Sequence, residues 1–217
     1  MSPRPRKASD DEVFAAAMRV MGRVGPADLT LAEIGAEAGV TAGALVQRFG
    51  SKLELLRALS RQASGDPGGA LADIRARHPS PLAALGAYAR CMAALAPTPA
   101  ALARNLAYLH LDLTDRHLYP ALVRLARHTR EAYRRLLSDA VAAGEVRAGV
   151  DLDDLARLVD TTAGGSLMSW AVYRVGTASE WIGRDIEIAL APHVVPASAV
   201  VSRSRPRPRK TRPRVRG

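Results

Sequence analysis

Residues 29–56 read LTLAEIGAEAGVTAGALVQRFGSKLELL, and their punctuation decides the fold. Thr30 followed by Glu33 is a capping box that opens one short helix. Ala38-Gly39-Val40 supplies a small residue, a left-handed turn glycine and an apolar plug. Thr41 then caps a second short helix from Ala42 to about Arg48, closed by Phe49-Gly50. Ser51 with Glu54 forms a further capping box that starts a third helix running through Leu55, Leu56 and Leu59. Helices this short are unstable alone and must pack on neighbours. A short helix, a glycine turn and a second short helix in this order predict a helix-turn-helix.

Outward from that stretch the apolar residues recur with a helical period, alanine and leucine abound, and β-branched runs are scarce. Ser9 with Glu12 caps a first helix that ends near Gly22 to Gly25, ahead of Pro26. Asp66-Pro67, Ser80-Pro81 and Thr98-Pro99 each place proline in a helical first turn, predicting helices over 67–77, 81–96 and 99–112. A long helix over 118–143 ends at Gly144, Asp151 caps one reaching about Val175, and Thr177 with Glu180 opens a last helix closed by Pro192. The reading is all-α: an N-terminal three-helix helix-turn-helix domain over 9–63, then a larger helical domain over 64–195. A basic arm over 1–8 and an Arg/Pro-rich tail over 196–217 flank them, both expected to be disordered.

The 217 residues carry a net charge of +10, and its location matters. Eight Arg or Lys lie in residues 203–217, while Arg4, Arg6 and Lys7 add to the other end. Between the two tails, bases and acids nearly balance. Pro206, Pro208 and Pro213 interrupt the C-terminal run. Such tails can lie in a narrow minor groove or add nonspecific, salt-sensitive affinity, the second being favoured. The sole cysteine, Cys91, leaves no intramolecular disulfide, and no apolar run approaches a bilayer span. The N-terminus lacks the apolar core of a secretion signal, so a soluble, cytoplasmic protein with no membrane partner is expected. No phosphate loop, nucleophile elbow or His-Glu-x-x-His motif is present, so the expectation is a non-enzyme without cofactor or metal.

Residues 12–57 resemble the tetracycline-repressor (TetR) family of bacterial transcriptional regulators. The matching residues are Val13, Ala16, Ala17, Met21, Gly25, Thr30, Ile34, Ala38-Gly39-Val40-Thr41, Gly43, Leu45, Phe49, Ser51-Lys52 and Leu55-Leu56. The resemblance implies a homodimer that binds a double-stranded DNA operator, most often as a repressor, and releases it when a small molecule occupies the helical domain. Three departures stand out: Val46 where the family has a phosphate-contacting tyrosine, Arg48 where histidine is frequent, and Gly35 in place of alanine. The last costs about 1 kcal/mol of helix propensity.

Thr30, Thr41, Ala42, Gly43, Gln47, Arg48 and Lys52 are the expected DNA-binding residues. Thr41 can cap its helix or touch phosphate, and Ala42 and Gly43 permit close approach to the groove. Ala44 is assigned to packing more than they are. Gln47 has the amide geometry for adenine, Arg48 for guanine or phosphate, and Lys52 sits in a helical first turn suited to phosphate. Val46 can pack or touch a thymine methyl, with packing favoured. Tyr88, Met92, Tyr108, Asp112, Tyr133 and Trp170 are the expected effector-site residues, among apolar neighbours that suit an apolar small molecule. Gly164, Leu167, Val172, Ile182, Ile186 and Leu190 form the expected two-fold interface between homodimer subunits, with packing inside the subunit as the alternative. An architectural DNA-binding protein acting through its basic tails is the alternative.

Overall fold

The computed structural model describes residues 8–63 and 68–196, so the expected arm and tail fall almost wholly outside the described residues. Ten α-helices follow one another: α1 Asp10–Met21, α2 Leu31–Ala38, α3 Ala42–Phe49, α4 Lys52–Ala63, α5 Gly68–Arg77, α6 Pro81–Arg90, α7 Pro99–Thr114, α8 Tyr119–Ala142, α9 Leu152–Tyr173 and α10 Ala178–Leu190. Among the described residues the β-structure is one isolated bridge, Val146 to Val194, which ties the segment after α10 to the α8–α9 turn.

The caps form where the side-chain spacing put them. Ser9 with Glu12, Thr30 with Glu33 and Thr177 with Glu180 make complete capping boxes, and Thr41, Ser80, Thr98 and Asp151 each accept from the first-turn amides of their helices. One expected box is only half made. Ser51 Oγ accepts from the Glu54 N–H at 3.2 Å, but the Glu54 carboxylate turns away to Arg57 at 2.6 Å, where it gains a charged partner. The helix expected over 81–96 ends at Arg90, and Cys91–Leu95 tighten into a 3₁₀ turn. The Asp66 cap expected for α5 lies outside the described residues.

Two apolar cores organise the helices. The first joins Val13, Phe14, Ala17 and Val20 of α1 to Leu29, Ile34, Leu45, Leu55 and Leu59, with Phe14 against Phe49 at 5.7 Å. Ala8 is buried in it, so the folded unit takes in a residue assigned to the arm. Tyr108 and Leu111 of α7 also belong to it, so this core extends past the expected boundary at residue 63. The second core gathers α5, α6, α8, α9 and α10 around Leu85, Tyr133, Leu137, Val159, Trp170 and Ile182.

Gly35 has a packing reason. A Cβ there would fall 2.7 Å from the Val40 carbonyl oxygen and 3.3 Å from the Ala42 nitrogen. The turn between α2 and α3 folds over bare backbone, with Gly39 at φ 71° reversing the chain. The helix propensity lost at Gly35 is exchanged for a closer α2–α3 corner.

Candidate functional site

On α3, Leu45 is inserted into the first core and Phe49 is half-buried, which leaves Thr41, Gly43, Ala44, Val46, Gln47 and Arg48 exposed. Thr41 Oγ1 accepts from the Ala44 N–H at 3.1 Å, and Thr30 plays the same part for Glu33 on α2. Gly43 is open: a Cβ there would meet nothing nearer than Thr41 Oγ1 at 3.9 Å. The protein's own packing therefore does not require glycine at this position.

Two expectations on this helix are corrected. Val46 is 49% exposed, not packed, and Ala44 is exposed while Ala42 is the half-buried one. Helical spacing could have shown the first, because Val46 follows Gly43 and precedes Gln47 on one face.

The cations are less free than the sequence implied. Arg48 Nη1 donates to the Ala8 carbonyl at 2.6 Å, its Nη2 pairs with Asp10, and its guanidinium lies over Phe49, 5.4 Å from the ring centre. Lys52 Nζ donates to the Pro26 carbonyl at 3.0 Å, which leaves its remaining hydrogens for an anion. Arg48 thus braces the start of α1 beside α3, and Lys52 clamps the α1–α2 loop to the first turn of α4.

Behind this surface, three contacts tie α7 and the turn after it to the N-terminal helices. Tyr108 Oη donates to the Val24 carbonyl at 3.1 Å, and burial pushes its hydroxyl up to about 12. Arg104 Nη2 donates to the Gly22 carbonyl at 3.1 Å. Arg57 of α4 meets Asp115, between α7 and α8, at 2.7 Å, with side chains only 16% and 13% exposed. Asp115 Oδ1 also accepts from the N–H groups of His117 and Leu118. Arg57, foremost, and those amides hold the Asp115 carboxyl at about 2. Asp115 therefore joins the start of α8 to α4, the helix that follows α3.

The expected effector residues separate into two places. Tyr108 and Asp112 line a cleft of about 150 Å³ between the first core and the start of α8, beside Met18, Leu56, Leu59 and Leu125, where burial pushes the Asp112 carboxyl up. Tyr88, Met92, Tyr133 and Trp170 belong instead to the second core. Tyr88 and Tyr133 meet edge to face with centres 5.4 Å apart. Trp170 Nε1 is satisfied by the Gly176 carbonyl at 3.0 Å. Tyr133 is fully buried, its hydroxyl has no hydrogen-bond partner among the described residues, and burial pushes it well above the usual phenol range. The Nδ1 of His128, also on α8, is likewise buried without a partner.

The expected interface residues are mostly inside the protomer. Leu167, Ile182, Ile186 and Leu190 are buried in the second core, where α9 packs on α10 and α6. Gly164 is half-buried and nothing lies within 4 Å of the position its Cβ would take. Of the expected set Val172 is exposed, and with it Leu158, Met168 and Tyr173 of α9 and Ile188 of α10.

A capped, small-residue helix held outward by a glycine turn, on a three-helix unit joined to a larger helical body, defines a helix-turn-helix regulator. The sequence matches the description "Bacterial regulatory proteins, tetR family" over residues 13–59 and "Transcriptional regulator SbtR-like, C-terminal domain" over residues 80–172. The chain belongs to the TetR family of transcriptional regulators.

Among curated proteins none matches significantly. Solved structures do. SmeT, the repressor of the Stenotrophomonas maltophilia multidrug efflux pump SmeDEF, is 22% identical over 89% of this chain and 94% of its own, with a TM-score of 0.61. FadR of Bacillus subtilis in complex with stearoyl-CoA is 16% identical over 84% and 98%, with a TM-score of 0.66. A TetR transcription regulator from Haloarcula marismortui is 18% identical over 86% and 98%, with a TM-score of 0.67. At these identities the likeness establishes the fold.

Proposed function

We propose that the protein is a homodimeric, sequence-specific repressor that leaves its operator when a small, largely apolar ligand enters the second core. The observation that carries the DNA reading is the outward face of α3, where Gly43 is open and Gln47 is exposed. Such a face lets the helix N-terminus approach base edges, with Gln47 placed for adenine and Lys52 on the backbone side.

One short helix reads too few base pairs, so two readers are needed. The exposed stripe Leu158, Met168, Val172 and Tyr173, with Ile188 beside it, supports a two-fold interface there. Gly164 and Gly165 leave room beside that stripe for a partner helix to come close. The proposed interface thus keeps the expected helices and Val172 but differs in its other residues.

The unpartnered Tyr133 hydroxyl supports a ligand with an apolar body and one polar atom, since an unpaired buried hydroxyl favours any partner that satisfies it. FadR, crystallised with stearoyl-CoA, is a structural neighbour whose ligand carries a long apolar chain. Displacing α8 would move Asp115 and, through Arg57, α4. That route leads from the second core to the reader.

Selection from random duplexes tests the proposal. The expected product is an inverted repeat with half-sites about one helical turn, or a multiple of it, apart. A pool that enriches no sequence contradicts it.

A further inference from the structure

We propose that the outer groove between α6 and α10 is a second ligand site, built for an apolar molecule that carries one carboxylate. The groove encloses about 620 Å³, within the usual range for small-molecule sites, and is walled by Leu82, Leu85, Ile186, Leu190 and Val194. It lies on the face of α6 toward α10, whereas Tyr88 of the same helix faces Tyr133 of α8. It depends on neither the DNA reading nor the Tyr133 site.

Arg90 gives the groove its chemistry. Its guanidinium lies between the two helices at the positions of two glycines. A Cβ on Gly183 would fall 2.6 Å from Arg90 Nη1, and one on Gly86 would fall 3.3 Å from Nη2. Small residues on both helices thus clear the space it occupies. Among the described residues this half-buried arginine has neither a carboxylate nor a hydrogen-bond acceptor. Other partly buried arginines are provided for: Arg57 meets Asp115, and Arg75 meets the His78 carbonyl.

A fixed planar cation with unused donors, at one end of an apolar trough, matches a carboxylate that can take two parallel hydrogen bonds. From Gly183 to Leu190 the wall runs about 10 Å along α10, which suits an extended acyl chain of medium length. Glu187 is the carboxylate of the lining and stands at the exposed rim. Its charge opposes an anion, so the affinity of the site depends on Arg90 outweighing it.

Calorimetric titration of the full chain with decanoate, below its micellar range, tests the site, with decanol and decyltrimethylammonium in parallel. Decanoate is expected to bind best. Arg90→Gln should weaken it at least about tenfold, as loss of a charge-assisted pair implies. Glu187→Gln should tighten it, a change in the opposite direction that no folding defect produces, and Tyr133→Phe should leave it unchanged. Decanol or the ammonium binding as well as decanoate would overturn the proposal, as would undiminished decanoate affinity in Arg90→Gln. Wild type that ignores decanoate, while Arg90→Gln changes the oligomeric state, would assign the groove to a second copy of the chain and overturn it equally.

Discussion

Replacing Tyr133 with phenylalanine removes one oxygen from the second core and nothing else. In a protein whose buried polar groups are otherwise matched, deleting a hydroxyl usually costs stability. Here the hydroxyl is fully buried without a partner, and burial has raised its proton affinity, so its removal should help. An unsatisfied buried hydroxyl costs about 1–3 kcal/mol. The ring keeps its edge-to-face contact with Tyr88 at 5.4 Å, so packing is preserved. Allowing for the small void left behind, the gain is on the order of 1 kcal/mol, or roughly 2–4 °C in Tm for a chain of this size. The same change should weaken any compound of a small-molecule panel that raises the wild-type Tm and displaces DNA, by up to about tenfold for one hydrogen bond. Thermal melting with and without such a compound reads both effects. A variant less stable than wild type by 1 kcal/mol or more would show that the hydroxyl is satisfied in the resting protein, and the reasoning would fail.

On an operator panel, Gln47→Ala should relax preference at one base pair per half-site by about 1–3 kcal/mol, whereas Lys52→Ala should weaken all sequences alike. Equal losses across the panel for both variants contradict the assignment. Val172→Glu places charge on a residue that is 74% exposed in the protomer, so the fold should survive while the dimer dissociates and specific binding is lost with it. Sedimentation of an unchanged dimer would remove this face from the interface. Asp115→Asn breaks the pair with Arg57. Because the Asp115 carboxyl is held down at about 2 from an ordinary 3.8, its contribution is present above the ordinary value and is lost as pH falls toward 2. The variant's stability deficit should therefore be clear at neutral pH and shrink on acidification through that window, as denaturant titrations at several pH values would show. A deficit that does not depend on pH would mean the ion pair is not its source.

The elements readable in the sequence are those fixed by neighbours along the chain. Ser9 with Glu12 or Thr30 with Glu33 closes a capping box within one turn, and Gly39 marks its own left-handed turn, so helix starts and the α2–α3 corner were legible. Long side chains with distant partners were not. Arg48 reaches back to Ala8 and Asp10, and Lys52 to Pro26, so neither free charge nor its direction follows from position. The α9–α10 faces were illegible for another reason. Apolar residues surround both helices, and a helical period cannot distinguish Leu167 and Ile186, which turn inward, from Val172 and Ile188, which turn out. Grouping Tyr108 with Tyr133 failed similarly, since only the packing of α7 on α1 and α4 separates the cleft from the second core.

The central claim, that the outward face of α3 enters DNA, is tested most directly at Gly43. A Cβ there would meet nothing nearer than Thr41 Oγ1 at 3.9 Å, and the position is exposed. Replacing glycine with leucine in a helix gains up to about 1 kcal/mol, so Gly43→Leu should melt no lower than wild type. Its bulk should nevertheless hold the helix away from the groove. The measurement is the affinity of this variant for the selected inverted repeat against a scrambled duplex of equal length. Loss of the preference, with an undiminished Tm, is the predicted result. An unchanged preference for the repeat would contradict it.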